Sequence, residues 1–110
     1  MKKEKDLCTD FIDFDTSNPK VYKMFAFFTT QALNANYKQV GAKMIMERIR
    51  WETYISKDGK LRFANQYTAF YARKFEFFNP QFRGIFRMRK SVADQLFNED
   101  NFAETIIALS

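Results

Sequence analysis

The sequence predicts an α+β fold: three main helices with a small antiparallel sheet, followed by a C-terminal helical segment. Three observations carry that expectation. Asn18-Pro19 opens a stretch in which Val21, Phe25, Phe28 and Ala32 recur at helical spacing. Lys57-Asp58-Gly59-Lys60 contains the Asp-Gly pair that suits a tight type I′ hairpin turn. Residues 61–73 change from strand-like alternation to helical spacing near Asn65, and residues 84–89 alternate once more.

A chain of 110 residues is long enough for a single core, and its fourteen Phe and five Tyr can build that core largely from rings. Residues 1–110 therefore read as one domain, with 1–10 expected to fray and 91–110 forming an acidic helical extension. Phe11 and Phe14 can pin one turn of helix to the core, leaving Asp10, Asp13 and Asp15 as a solvated acidic face. No calcium-loop pattern accompanies those carboxylates, so no metal site is read there.

The first main helix is expected from Pro19 to Asn34 or Asn36, with Asn18 as its cap and Pro19 at the first helical position. The second begins at Gly41 or Ala42. It turns Ile45, Met46 and Ile49 inward, sends Lys43, Glu47, Arg48 and Arg50 mostly outward, and ends near Trp51, read as a core anchor. Residues 54–63 are expected to form a two-stranded ribbon with a basic tip. The third helix, capped by Asn65, covers about 66–78, with Tyr67, Tyr71, Phe75 and Phe78 on one face and Gln66, Ala69, Arg73 and Lys74 exposed; Asn79-Pro80 ends it. Residues 84–89 follow as a strand with Phe86 and Met88 inward and Arg87 and Arg89 outward. Ser91 with Asp94 resembles a capping pattern for a last helical segment holding Val92, Leu96 and Phe97.

Composition narrows the function classes. There is no histidine and a single cysteine, Cys8, which removes Cys/His and Ser/His catalysis, histidine metal sites and any internal disulfide. No catalytic residues, no metal and no cofactor are expected, and the protein reads as a non-enzyme. The N-terminal Met-Lys-Lys-Glu-Lys-Asp leads into no apolar signal core and no run approaches a membrane span, so a cytoplasmic protein without membrane contact is expected. The net charge of +5 is unevenly spread: −2 over residues 1–19, +11 over 20–90 and −4 over 91–110.

The order helix, helix, ribbon, helix, strand approaches a winged-helix arrangement, in which the third helix enters the DNA major groove and a basic ribbon touches phosphate. On that reading Lys57, Lys60 and Arg62 of the ribbon, Gln66, Arg73 and Lys74 of the helix, and Arg87, Arg89 and Lys90 of the strand form one nucleic-acid-binding surface, with duplex DNA as the partner. The bland alternative is a set of solvated charges on an ordinary basic protein. The order departs from the usual winged helix in placing a ribbon before the third helix and one strand after it.

The motifs Asn18-Pro-x-Val-Tyr22, Glu47-Arg-Ile-Arg-Trp-Glu52, Asn65-x-Tyr-x-x-x-Tyr-Ala-Arg73, Pro80 and Phe86-x-x-Arg89 together resemble a family of small proteins encoded by phages and prophages, of uncharacterised function. The resemblance covers roughly residues 11–90. It implies a phage context and no catalytic residues, and it raises a second function class, a phage-encoded inhibitor that binds a host defence protein. Where that family often has a run of asparagines before the tyrosine, this chain has Phe63-Ala64-Asn65-Gln66. The apolar side of the acidic extension, from Val92 and Leu96 to Ile106 and Ile107, is expected to fold back on its own domain or to pack on a second copy as a homodimer.

Overall fold

Four α-helices account for most of the computed structural model, which describes residues 4–55, 64–89 and 91–97. They are α1 (Glu4–Ser17), α2 (Pro19–Asn34), α3 (Ala42–Ile55) and α4 (Tyr67–Phe78), followed by short 3-10 turns at Pro80–Phe82 and Val92–Gln95. Among the described residues there is no strand or sheet, and the single β-contact is an isolated parallel bridge between Val40 and Phe86. The expected α+β fold is thus replaced by a helical one, and the winged-helix analogy falls with it.

Each departure has a local cause. Tyr54 and Ile55, expected to start the ribbon, are the last residues of α3. The Asp58-Gly59 turn and residues 61–63 lie outside the described residues. The expected strand at 84–89 fails because Glu76 takes its amides: Gly84 N donates to Oε1 at 2.9 Å and Phe86 N to Oε2 at 3.1 Å. Gly84 turns the chain at φ 92°, a left-handed value that favours glycine. Ile85 and Phe86 are then both buried as neighbours, which alternation forbids.

The two Asn-Pro pairs act alike. Proline disfavours helical backbone in the residue before it, and Asn18 and Asn79 adopt nearly the same conformation, φ −132° ψ 61° and φ −133° ψ 68°. Neither asparagine caps the following element with its side chain. Each Nδ2 instead donates backwards to the carbonyl four residues earlier, Asn18 to Phe14 at 3.0 Å and Asn79 to Phe75 at 2.8 Å. Phe14 O also accepts from Asn18 N at 2.9 Å, so there the side chain adds a second bond to a carbonyl at the helix end while proline opens the next element. The helix before Asn18 is accordingly a full α1 and not the single turn expected around Phe11 and Phe14.

Helix α4 is the centre of the fold, and α2, α3 and both 3-10 turns pack against it. It buries Tyr67, Phe70, Tyr71, Ala72 and Phe75, a nearly all-round burial that fits its apolar sequence. From α1, Phe11 stacks on Phe70 at 4.6 Å and meets Tyr67 and Tyr71 edge-on at 5.6 and 5.0 Å. Phe25 of α2 and Phe75 of α4 close on Phe86 at 5.5 and 6.0 Å. From α3 come Ile45, Met46 and Ile49, as their spacing predicts. Trp51 corrects its expected role: two positions beyond Ile49 it points away from the core and is 57% exposed.

The start of the acidic extension belongs to the core. Ser91 Oγ accepts from Ala93 N at 3.2 Å while Asp94 Oδ2 accepts from Ser91 N at 2.9 Å, a reciprocal cap matching the Ser-Asp spacing. Ala93 is fully buried, and Val92, Leu96 and Phe97 pack on the same cluster.

Candidate nucleic-acid interface

The cations of α4 do not form the exposed surface expected of them. Arg73 and Lys74 are each 7% exposed. Lys74 Nζ donates to Asp15 Oδ2 of α1 and lies 4.2 Å from the Tyr22 ring centroid. Asp15, expected to face water, is 5% exposed for that reason. Burial, aided by the Asp15 carboxylate, pushes the nearby Tyr22 hydroxyl up to about 12 and the Tyr71 hydroxyl further up still. Arg73 Nε donates to Asp94 Oδ1 at 2.5 Å, Nη1 to Ala69 O at 3.1 Å and Nη2 to Arg89 O at 2.5 Å. These bonds fasten Arg89 and Asp94 to α4.

That fastening builds a groove. Residues 41–43 at the start of α3, Asn65, Gln66, Thr68 and Ala69 at the start of α4, and residues 87–89 with Ser91 surround a cavity of about 470 Å³. Lys43, Gln66, Arg87 and Arg89 line it with Asn65, Thr68 and Ser91, while Ala72, Met88 and the Arg73 side chain also contribute. Among the described residues, four cations and no carboxylate line this groove, Arg73 being already paired with Asp94. Lys43, Arg87 and Arg89 are exposed, and no ion pair joins any of them among the described residues. Neither α3 nor α4 has an acid in its first turn, so the positive ends of both helices add to the same sign of field.

Asn65 does not cap α4 with its side chain. Its Oδ1 accepts from Arg50 Nη2 at 2.7 Å, which ties the floor of the groove to α3. The other face of Met88 borders a second cavity of about 260 Å³, lined by Arg73, Glu76, Phe77, Arg83, Asp94 and Phe97. Its charges are mixed, unlike those of the groove.

Of the residues expected at the interface, Gln66, Arg73, Arg87 and Arg89 therefore come together, Arg73 as a buried brace. Lys74 is turned into the core. Lys57, Lys60, Arg62 and Lys90 lie outside the described residues. Lys43 is the groove residue missing from the sequence expectation. The available signal was a cation in the first turn of a helix that has no acid there, an arrangement the helix dipole disfavours. No helix among the described residues is long and apolar enough to cross a membrane. No family model, curated protein or solved structure matches the chain.

Proposed function

We propose that the protein is a non-catalytic nucleic-acid-binding module that holds the phosphate backbone in the groove of Lys43, Arg87 and Arg89. The observation that carries this reading is the sign of the lining: Lys43, Arg87 and Arg89, with no carboxylate among the described lining residues. A polyanion supplies the missing charge, and Gln66, Asn65, Thr68 and Ser91 supply hydrogen-bonding groups for phosphate and sugar oxygens. Binding of this kind does not require α4 to enter a major groove, a role its burial in the core denies it. A phage context and a cytoplasmic setting belong to the same proposal.

The test is the anisotropy of a labelled oligonucleotide across a salt series. Lys43→Ala, Arg87→Ala and Arg89→Ala should each weaken binding and flatten the plot of log affinity against log salt by about 0.7 to 0.9 per lost phosphate contact. A triple variant with the parent's affinity and slope would remove the groove from consideration.

A host-protein inhibitor is the second reading, supported by a different feature. Trp51 and Tyr54 are 57% and 73% exposed on α3, and exposed aromatic rings are common anchors of protein interfaces. On that reading low-salt titration with oligonucleotide shows no binding.

A further inference from the structure

The flank of α3 that leaves the groove ends in an exposed pair of rings. Lys43, Glu47, Arg50 and Tyr54 follow one another at spacings of four, three and four residues, which keeps them on one side of the helix. Lys43 lines the groove, and Arg50 holds the groove's Asn65. At the far end the Tyr54 ring stacks on Trp51, with centroids 6.3 Å apart and planes inclined by 28°. At 1.5 Å of rise per residue, Trp51 lies about 12 Å and Tyr54 about 16 Å along the axis from Lys43.

From this arrangement we infer that the nucleic acid taken by the groove is single-stranded, its phosphates held by Lys43, Arg87 and Arg89 and its bases stacked on Trp51 and Tyr54. The inference rests on the nucleic-acid reading above and names the class of strand. In a duplex the bases already stack on one another and present only their edges in the grooves, so flat rings on the side of a helix find no base face there. An unpaired strand offers a face from every base, and a basic groove beside aromatic platforms is the combination that binds such strands with little regard to sequence. The carboxylates beside the rings do not oppose this. Arg50 donates to Glu47, and Arg48 Nε donates to Glu52 at 2.8 Å, so each acid already has a cation.

Trp51 is the only tryptophan in the chain, so its emission reports the contact directly. The experiment titrates the full chain with an oligothymidine and with a duplex of equal length at low salt. It follows Trp51 emission for the parent and labelled-strand anisotropy for Trp51→Ala, Tyr54→Ala and Trp51→Phe. The expected results are quenching by the single strand and not by the duplex, at least about 5-fold weaker single-strand binding for either alanine variant, partial recovery with phenylalanine, and an unchanged salt slope. Both positions are exposed, and circular dichroism checks that the fold is kept. Equal binding of the two nucleic acids with constant Trp51 emission overturns the single-strand inference and leaves the phosphate groove standing. No binding of either at low salt overturns both readings. Emission that changes with protein concentration alone puts a second copy of the chain on the rings and also overturns the inference.

Discussion

Lys74 and Asp15 form an ion pair between α4 and α1, with the two side chains only 9% and 5% exposed. The lysine Nζ lies over the Tyr22 ring, and Asp15 Oδ1 has no hydrogen-bond partner among the described residues. Two charges removed from water need each other, because either one alone is stranded in a medium that solvates it poorly. Lys74→Met and Asp15→Leu should each lower the unfolding free energy by about 3 to 5 kcal/mol. The double variant should recover most of that loss. Urea unfolding of the four proteins forms the cycle, and additive losses would show that the pair is not coupled.

Arg73 has a different task from the cations it sits beside. Its guanidinium joins α4 to Asp94 and to the Arg89 carbonyl, so it sets where the Arg89 side chain departs from the chain. Arg73→Met should therefore cost stability, about 1 to 2 kcal/mol, because it removes the guanidinium's bonds to two carbonyls and to the half-exposed Asp94. Arg87→Ala and Arg89→Ala, on exposed positions, should change stability by less than about 0.5 kcal/mol. Thermal unfolding ranks the three variants, and an Arg73 variant as stable as the parent would show that the brace does not hold segment 89–94.

These two cations also show where sequence reading stops. The starts of α2 at Pro19 and α3 at Ala42, and the apolar face of Ile45, Met46 and Ile49, are legible because the placing of proline and helical spacing are local. Whether Arg73 and Lys74 are buried depends on carboxylates 21 and 59 residues away, and no local pattern encodes such pairings. The strand at 84–89 fails similarly, through a carboxylate on α4. Gln66, Arg87 and Arg89 come together around one groove, but on a braced segment and the start of α4 and not on the expected sheet. Lys43 joins them only because the starts of α3 and α4 meet in space.

Alkaline pH should unfold the protein through its buried tyrosines. Tyr22 ionises near 12 in the folded state, against 10.0 when unperturbed, and Tyr71 is raised further, both chiefly by burial. A hydroxyl whose folded value lies above its unfolded value keeps its proton better in the native state. Its contribution is fully present below about pH 10 and is lost as pH rises from there towards the folded values. The Tyr71 hydroxyl is also buried without a hydrogen-bond partner among the described residues. Tyr71→Phe should thus be neutral or stabilising by up to about 1 kcal/mol at pH 7, and should move the alkaline midpoint upward. Helical circular dichroism against pH measures both effects, and a midpoint unmoved by the substitution would exclude Tyr71 as a driver.

The last prediction concerns Glu76, whose carboxylate bonds backbone amides and governs the path of the chain that carries Arg87 and Arg89. Its carboxylate accepts from the amides of Gly84 and Phe86, closing the turn that sends residues 87–89 alongside the start of α4. A glutamine can reproduce one of those bonds but presents an NH₂ to the second amide. Alanine releases both, and the amide of Phe86 is left partly buried, an omission worth about 1 to 3 kcal/mol. Glu76→Gln should cost less than Glu76→Ala, and both should weaken oligonucleotide binding because Arg87 and Arg89 lose their fixed position. The salt slope should stay close to the parent's, since the cations remain, which separates this effect from Arg87→Ala and Arg89→Ala. Gly84→Ala offers an independent perturbation of the same turn: no atom crowds the added methyl, but φ 92° strains it, by about 1 to 2 kcal/mol. Two variants that destabilise the turn by different routes and weaken binding together would establish that its geometry serves the groove. Parent affinity in both, at temperatures where both are folded, would show that the groove does not depend on the turn.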